Sequence, residues 1–257
     1  MMVDYHVHAV AHGEYQYTRE WLEQFVEQAR RQGIMEIGFS EHDEFVDQID
    51  FNLIEEVQNN CGNGIKIRLG LEVDFIPGRQ EKIKEIVDQK GYDYIIGSVH
   101  YIDGWGFDHP DYKNGFDDRD IDEIYSQYTR LLIEMISSGS FDVVGHLDLV
   151  KLWGHRPRKK ASRYYFEPVL KAAKAFGIAV EINSAGLRKV VEELYPATDL
   201  LEMMYAYSIP ITFGSDAHHP TQVGEGLAEA YLSARKAGYR LMVRIDQHKK
   251  LPTTMEY

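Results

Sequence analysis

The sequence predicts a closed, parallel α/β barrel, and two observations carry that expectation. Strand, loop and helix follow one another seven times, with one further strand at the end, and such alternation builds parallel sheets. Each of the seven strands also runs into His, Asp, Glu or Arg at its carboxyl end. Barrels place their chemistry there, whereas a doubly wound sheet concentrates it at one switch point. The chain has 257 residues and no linker or low-complexity stretch, which fits one domain spanning residues 1–257.

The first strand, Val3-Asp4-Tyr5, feeds His6-Val7-His8. Alternation puts His6 and His8 on one face of an extended segment, as a metal site requires. His12 follows in the next loop. Thr18 caps a helix in which Trp21, Leu22, Phe25, Val26 and Ala29 recur at helical spacing, and Gly33 stops it. The strand Met35–Phe39 delivers Ser40-Glu41-His42-Asp43. Asp50–Asn60 reads as a helix, and Asn59, Asn60, Gly62, Asn63 and Gly64 as a turn. Ile65–Phe75 is a long apolar strand with Glu72 at its centre. A carboxylate in such surroundings needs a partner, a metal or an arginine, because an unpaired buried charge is expensive.

Glu81–Gln89 is amphipathic, and the strand Tyr92–Val99 delivers Ser98 and His100. Tyr101–Asp118 is a long loop holding Trp105, Phe107, Tyr112 and Phe116, and its length inside a compact domain suggests a lid. A helix over Ile121–Ser137 leads to the strand Phe141–Gly145, which ends in His146-Leu147-Asp148. Lys151 to Lys160 holds five basic residues and His155, either as a solvated loop or as an anion-attracting rim. The helix Tyr164–Phe176 precedes the strand Ile178–Asn183, which leads to Arg188. Val191–Ser208 reads as mostly helical. The seventh strand opens at Ile211 and ends in Gly214-Ser215-Asp216-Ala217-His218. A helix over Gly224–Ala237, a last strand over Tyr239–Ile245 and a polar tail follow.

Composition narrows the chemistry. The net charge of −13 argues against binding a nucleic-acid backbone. The longest apolar runs are too short to span a bilayer, the first residues lack signal-peptide character, and the single cysteine, Cys61, forms no internal disulfide. A cytoplasmic protein is expected. Imidazoles with a few carboxylates suit zinc, manganese or iron rather than magnesium or calcium. Cys61 lies in a turn away from the strand ends and is excluded as a ligand. A multinuclear cluster with a bridging carboxylate generates hydroxide near neutral pH and clamps phosphoryl oxygens, so hydrolysis of a phosphoester is expected.

The segments Asp4-Tyr5-His6-Val7-His8, Glu41-His42, Gly70-Leu71-Glu72-Val73, Gly97-Ser98-Val99-His100, Gly145-His146-Leu147-Asp148 and Gly214-Ser215-Asp216-Ala217-His218 resemble the PHP (polymerase and histidinol phosphatase) superfamily. Three stretches are similar to its histidinol-phosphate phosphatases: Glu72 to Gly78, Ile182 to Arg188 and Ser215 to His218. The resemblance implies a distorted (β/α)7 barrel with two or three divalent metal ions. It implies that His6, His8, Glu72 and Asp216 hold one ion. Glu72 would bridge to a second held with His100 and His146, and His12, His42 and His218 would hold a third.

The activity so implied is hydrolysis of L-histidinol phosphate to L-histidinol and phosphate, a step of histidine biosynthesis, by in-line attack of a metal-bridging hydroxide. Asp216 would orient or deprotonate the water, and His218 would protonate the leaving oxygen if the third metal leaves it free. Arg188 would neutralise phosphoryl charge, with Ser98, Lys151 and Arg158 as further substrate contacts. Because the non-reacting end of the substrate is cationic, the acids of the 101–118 loop (Asp103, Asp108, Asp111, Asp117 and Asp118) would attract it and Trp105 would stack on its imidazole. The alternatives are another small phosphomonoester or a nucleotide as substrate, or a non-catalytic metal-binding regulatory protein.

Overall fold

A computed structural model of the chain describes residues 1–62, 64–88 and 91–255. Asn63 of the expected turn and Gln89 of the expected third helix lie outside them. In chain order the elements are β1 (Met2–Val7), α1 (Arg19–Arg31), β2 (Ile34–Phe39), α2 (Phe51–Asn60), β3 (Lys66–Asp74), α3 (Gln80–Asp88) and β4 (Tyr94–Ser98). A two-residue-per-strand hairpin, β5 (Tyr101–Ile102) and β6 (Trp105–Gly106), precedes α4 (Ile121–Ser137) and β7 (Val143–Val144). Then come α5 (Ser162–Phe176), β8 (Ala179–Asn183), α6 (Thr198–Ala206), β9 (Ile211–Gly214), α7 (Leu227–Ala237), β10 (Leu241–Asp246) and β11 (Lys249–Thr254).

Seven strands form one parallel sheet in the order β1-β2-β3-β4-β7-β8-β9. Each strand therefore pairs with the next barrel strand in the chain, and the sheet curls round until β9 meets β1. That last junction has little ladder. Val7 bridges Ala217, with His8 N–H donating to the Ala217 carbonyl at 2.8 Å and Ala217 N–H to that of His6 at 3.2 Å. The sheet is thus a nearly closed (β/α)7 barrel, as expected.

The helices pack for reasons visible in their sequence. Thr18 Oγ1 accepts the Trp21 N–H at 3.2 Å, and Leu22, Phe25, Val26 and Ala29 of α1 are buried against the strands. Asp50 caps α2 in the same way, accepting from Leu53 N–H at 3.0 Å. Between strands, Tyr94 reaches across to donate to the Tyr5 carbonyl at 2.6 Å. Gly38 makes room for it, since a Cβ there would stand 1.9 Å from the phenolic oxygen.

The C-terminal end departs from expectation. The polar tail is a strand: β11 pairs antiparallel with β10 along six register positions. This hairpin sits across the amino ends of the barrel strands, held by the buried Arg68, which joins Glu36 of β2 to Asp246 of β10, and by Arg244 on Glu36. The hairpin is thereby tied to β2 and β3 at their amino-terminal halves. Three further expectations are corrected. Only Val143–Val144 of Phe141–Gly145 is strand, because Asp142 is used to accept the Ile95 N–H. In Val191–Ser208 only α6 is helical; the segment before it turns so that Tyr195 can exchange backbone hydrogen bonds with Asn183 (2.7 and 2.9 Å).

The third correction concerns the 101–118 segment, which is not one long irregular loop. Beyond the β5–β6 hairpin it forms a 3₁₀ helix, Pro110–Phe116, and Phe107 and Phe116 are buried with Trp105 between them. The Trp153 indole N–H donates to the Phe107 carbonyl at 2.9 Å, tying the segment to the turn after β7. No described helix is long and apolar enough to cross a membrane.

Candidate metal centre

Glu72, near the end of β3, is 1 % exposed and lies at the centre of five imidazoles. Its Oε2 is 3.2 Å from His6 Nε2, 3.5 Å from His8 Nε2 and 3.0 Å from His42 Nδ1. Its Oε1 is 3.0 Å from His146 Nε2 and 3.7 Å from His100 Nε2. Asp216 closes the ring from β9, its Oδ1 3.5 Å from His8 Nε2 and 4.0 Å from His6 Nε2. Strand alternation explains the convergence of His6 and His8, whose rings lie 5.0 Å apart.

These residues fit a set of metal ions. Four overlapping groups have donor atoms close enough to share a cation: His6, His8 and Glu72; Glu72, His100 and His146; His6, His146 and Asp216; and His8, His42 and His218. The Nε2 atoms of His6, His8, His42 and His218 are buried without any hydrogen-bond partner. Orphaned buried nitrogens carry a cost that a cation would remove. The Nε2 atoms of His100 and His146 also face each other at 3.3 Å, close enough to share one cation with Glu72.

Three of the rings have their Nδ1 held from behind. His6 Nδ1 meets Glu181 at 2.9 Å, His100 Nδ1 meets Asp74, and His218 Nδ1 faces the Asp216 carbonyl at 3.1 Å. Such partners set the tautomer of a ligating histidine and raise its basicity. Burial alone would push the His6 and His100 rings down, but the carboxylates of Glu181, Glu72 and Asp216 at His6, and chiefly of Asp74 at His100, hold both well above the usual range. Burial pushes His8 well below it, with His42 and His218 adding to the effect, and takes His218 down to about 4. Burial would raise Glu72 and Asp216, but His6 in each case heads the neighbours that keep them well below the ordinary carboxylate range.

Glu181 is the residue that sequence reasoning missed. Besides His6 it accepts the His146 N–H at 3.1 Å and the Asn183 amide at 3.0 Å, so one carboxylate positions two histidines. Room for it comes from Gly214, where a Cβ would lie 1.9 Å from Glu181 Oε1. The signal was present: an acid inside the apolar strand Ala179–Asn183, the same argument that singles out Glu72. Lys189 and Tyr195 were also missed. Both line the cavity, and the Tyr195 hydroxyl is buried with no partner.

The other expected residues fall into three sets. His12 stands at the rim, its ring 4.5 Å from His218 and 5.3 Å from His42, while His8 takes its place in the candidate group with His42 and His218. His218 belongs to that group, which makes it a ligand candidate. Arg188 is at the site: Nη2 donates to the Ser215 and Asp216 carbonyls (2.7 and 3.2 Å), while Nη1 is buried and unpartnered. It holds the turn in which Asp216 adopts φ +53°, a left-handed conformation that Asp tolerates better than most residues.

The remaining four substrate-contact expectations are corrected. Ser98 is fully buried and donates to Glu72 Oε1 at 2.5 Å, so it orients the central carboxylate. The Lys151 ammonium is consumed by Asp148 (3.0 Å), Glu193 (3.1 Å) and the Leu194 carbonyl (2.6 Å), and it is 1 % exposed. Arg158 is exposed and gives its backbone N–H to Asp122, away from the cavity. Trp105 faces its own segment, donating to the Tyr112 carbonyl at 3.0 Å with Arg119 over its ring.

Above the cluster opens a cavity of about 410 Å³, with His100, His146 and Asp216 on its floor and Leu149, Leu152 and Trp153 on one wall. A (β/α)7 barrel with a histidine–carboxylate cluster at the carboxyl ends of its strands defines a metal-binding hydrolase of the barrel type. The family model for the PHP domain matches residues 4–185. A Deinococcus radiodurans protein named "Probable histidinol-phosphatase" is 38 % identical over 198 residues, covering 77 % of this chain and 74 % of that protein. The "Histidinol-phosphatase" of Lactococcus lactis is 25 % identical, covering 96 % of this chain and 97 % of the relative. The chain belongs to the PHP domain family. Its fold matches the crystal structure of histidinol phosphate phosphatase from Lactococcus lactis complexed with zinc, L-histidinol and phosphate, at a TM-score of 0.80 and 22 % identity, covering 97 % of this chain and 98 % of that one.

Proposed function

We propose that the chain is a metal-dependent phosphomonoesterase that hydrolyses L-histidinol phosphate to L-histidinol and phosphate. The observation that carries this reading is the ring of orphaned imidazole nitrogens around Glu72 and Asp216, opening into one cavity of a size for a small phosphorylated metabolite. The histidinol-phosphatase relatives name the substrate. We assign up to three divalent ions, zinc first among them, to His6, His8, Glu72 and Asp216, to Glu72, His100 and His146, and to His8, His42 and His218 with His12 at the rim. Such ions, when bound, supply Lewis acidity and an activated water at neutral pH.

The chain's own groups do the rest. Glu72 and Asp216 remain ionised and orient the imidazoles; Ser98 and Glu181 fix those two layers from behind. Arg188 and Lys189 line the depression beside Asp216 and His218 and supply cationic groups for phosphoryl oxygens. The test is a panel of phosphomonoesters, nucleotides among them, and one phosphodiester against protein loaded with zinc, manganese or iron, read as kcat/KM. Histidinol phosphate should lead the panel. A phosphodiester or a nucleotide leading it would overturn the substrate, and no turnover with any metal would leave a binding protein.

A further inference from the structure

The cavity has a second charged feature that the metal cluster does not use. Of the carboxylates that line it, Glu72 and Asp216 belong to the candidate metal groups, and Asp108 does not. Asp108 is half-buried, and among the described residues its carboxylate has no hydrogen bond and no ion pair. Its neighbours Asp103, Asp111, Asp117 and Asp118 do not line the cavity at all. The backbone that carries it is anchored. Phe107, the preceding residue, is fully buried against Tyr128 and has its carbonyl bound by Trp153, which itself forms part of the cavity wall. Asp108 also lies close enough to the cluster for its field to reach His100, and it reaches Tyr195 as well.

A carboxylate that lines the cavity without a partner is free to pair with a cation that enters it. The same cavity is also lined by Lys189, which with Arg188 lines the adjoining depression, and both are suited to phosphate. The cavity therefore offers a cationic group, a carboxylate outside the metal cluster and two apolar side chains, Leu149 and Leu152. We propose that Asp108 is the specificity-determining residue that pairs with an aliphatic ammonium on the second carbon from the ester oxygen, selecting 2-aminoalkyl phosphates over neutral ones. An ammonium so placed stays near the phosphoryl group, which matches a carboxylate whose field reaches the metal ligands. The rest of the substrate then lies against the apolar wall. This inference rests on the phosphomonoesterase reading above.

The test compares wild type with Asp108→Asn, an isosteric change that removes only charge. Two matched pairs are used: L-histidinol phosphate against its N-acetyl derivative, and 2-aminoethyl phosphate against ethyl phosphate. Wild type should prefer the cationic member of each pair, and the preference should fall about tenfold or more in the variant, the worth of a charge-assisted contact. Calorimetric binding of L-histidinol should weaken in parallel, with metal content retained. An unchanged preference in the variant, or loss of metal from it, would overturn the assignment. If wild type hydrolyses neither histidinol derivative but turns over the shorter pair, the substrate reading fails while the pair still decides the role of Asp108.

Discussion

Asp4 and Ser215 close the barrel. The Asp4 carboxylate accepts the Ser215 backbone N–H at 2.8 Å and its hydroxyl at 2.6 Å, and takes the Gly224 N–H at 3.0 Å as well. These side-chain bonds stand where β1 and β9 lack a regular ladder, and they set the strand end from which Asp216 and His218 project.

Replacing Asp4 by Asn turns one acceptor into a donor that faces an N–H. One buried group is left unsatisfied, at a cost of about 1–3 kcal/mol. Burial pushes the Asp4 carboxyl up to about 6 against the hydrogen bonds that lower it. A native-state pKa raised above the unfolded value contributes stability below the usual Asp range, and that contribution is lost as pH rises through about 6. The gap between wild type and Asp4→Asn should therefore be wider at pH 4.5 than at pH 7.5, in urea unfolding of the metal-free protein. A gap that widens with pH would show that the carboxylate, not the acid, is the stabilising form.

Glu181→Gln should leave the barrel folded, because the amide fills the same space beside Gly214. It removes the charge behind His6 Nδ1 and one acceptor of the His146 N–H. Outer partners of this kind are worth about 10–100-fold in metal affinity or activity. Metal titration by competition with a chelator checks this, and an affinity equal to wild type would reduce Glu181 to a packing residue.

Glu72→Gln strikes the centre and should exceed that loss. Five imidazoles surround this carboxylate, and the amide would point a donor at some of them. We expect fewer ions per chain in elemental analysis of the purified variant and turnover near background. Dialysis of wild type against chelator should give the same low turnover, restored by added metal. Full occupancy with full activity in Glu72→Gln would end the bridging role.

The metal centre was legible because ligands are chemically loud. Alternation places His6 with His8, and an acid in an apolar strand marks Glu72. The same logic, carried one strand further, marks Glu181. What the sequence hid was depth. Lys151 and Arg158 sit in a basic run that looks like an anion-attracting rim, yet only three-dimensional contact reveals that Asp148 and Glu193 consume the Lys151 ammonium. Trp105 looks available in a long polar loop, but its partner, Phe116, lies eleven residues on and turns it inward. The β10–β11 hairpin was hidden for a similar reason. Lys249–Thr254 is polar because it covers the barrel end from outside, so it lacks the apolar run that marks the inner strands.

Arg188 carries two duties that a pair of variants separates. Its Nη2 holds the Asp216 turn and its Nη1 is free for phosphate. Arg188→Ala loses both, so inorganic phosphate should inhibit less and metal content should drop. Arg188→Lys keeps a charge without the planar fork, and should retain part of the phosphate affinity. Phosphate inhibition identical in wild type and both variants would move the anion contact to Lys189.

Tyr195 offers a sharper dissection, because stability and activity should move in opposite directions. The residue lines the cavity beside His146, 6.4 Å between ring centroids, and its hydroxyl is buried without a partner. Burial, followed by the fields of Asp148, Asp216 and Asp108, holds the phenol well above its usual range, so it remains a hydrogen-bond donor throughout neutral pH. A buried donor with no acceptor costs about 1–3 kcal/mol. Tyr195→Phe removes that cost with the ring volume unchanged, and the variant should be as stable as wild type or more so. If the hydroxyl donates to the substrate, turnover should nonetheless fall about tenfold, the value of one neutral hydrogen bond at the upper end of its range. Denaturant midpoints and kcat/KM on the same preparations check both. Reduced stability with unchanged turnover would make Tyr195 a structural residue whose hydroxyl has a water partner.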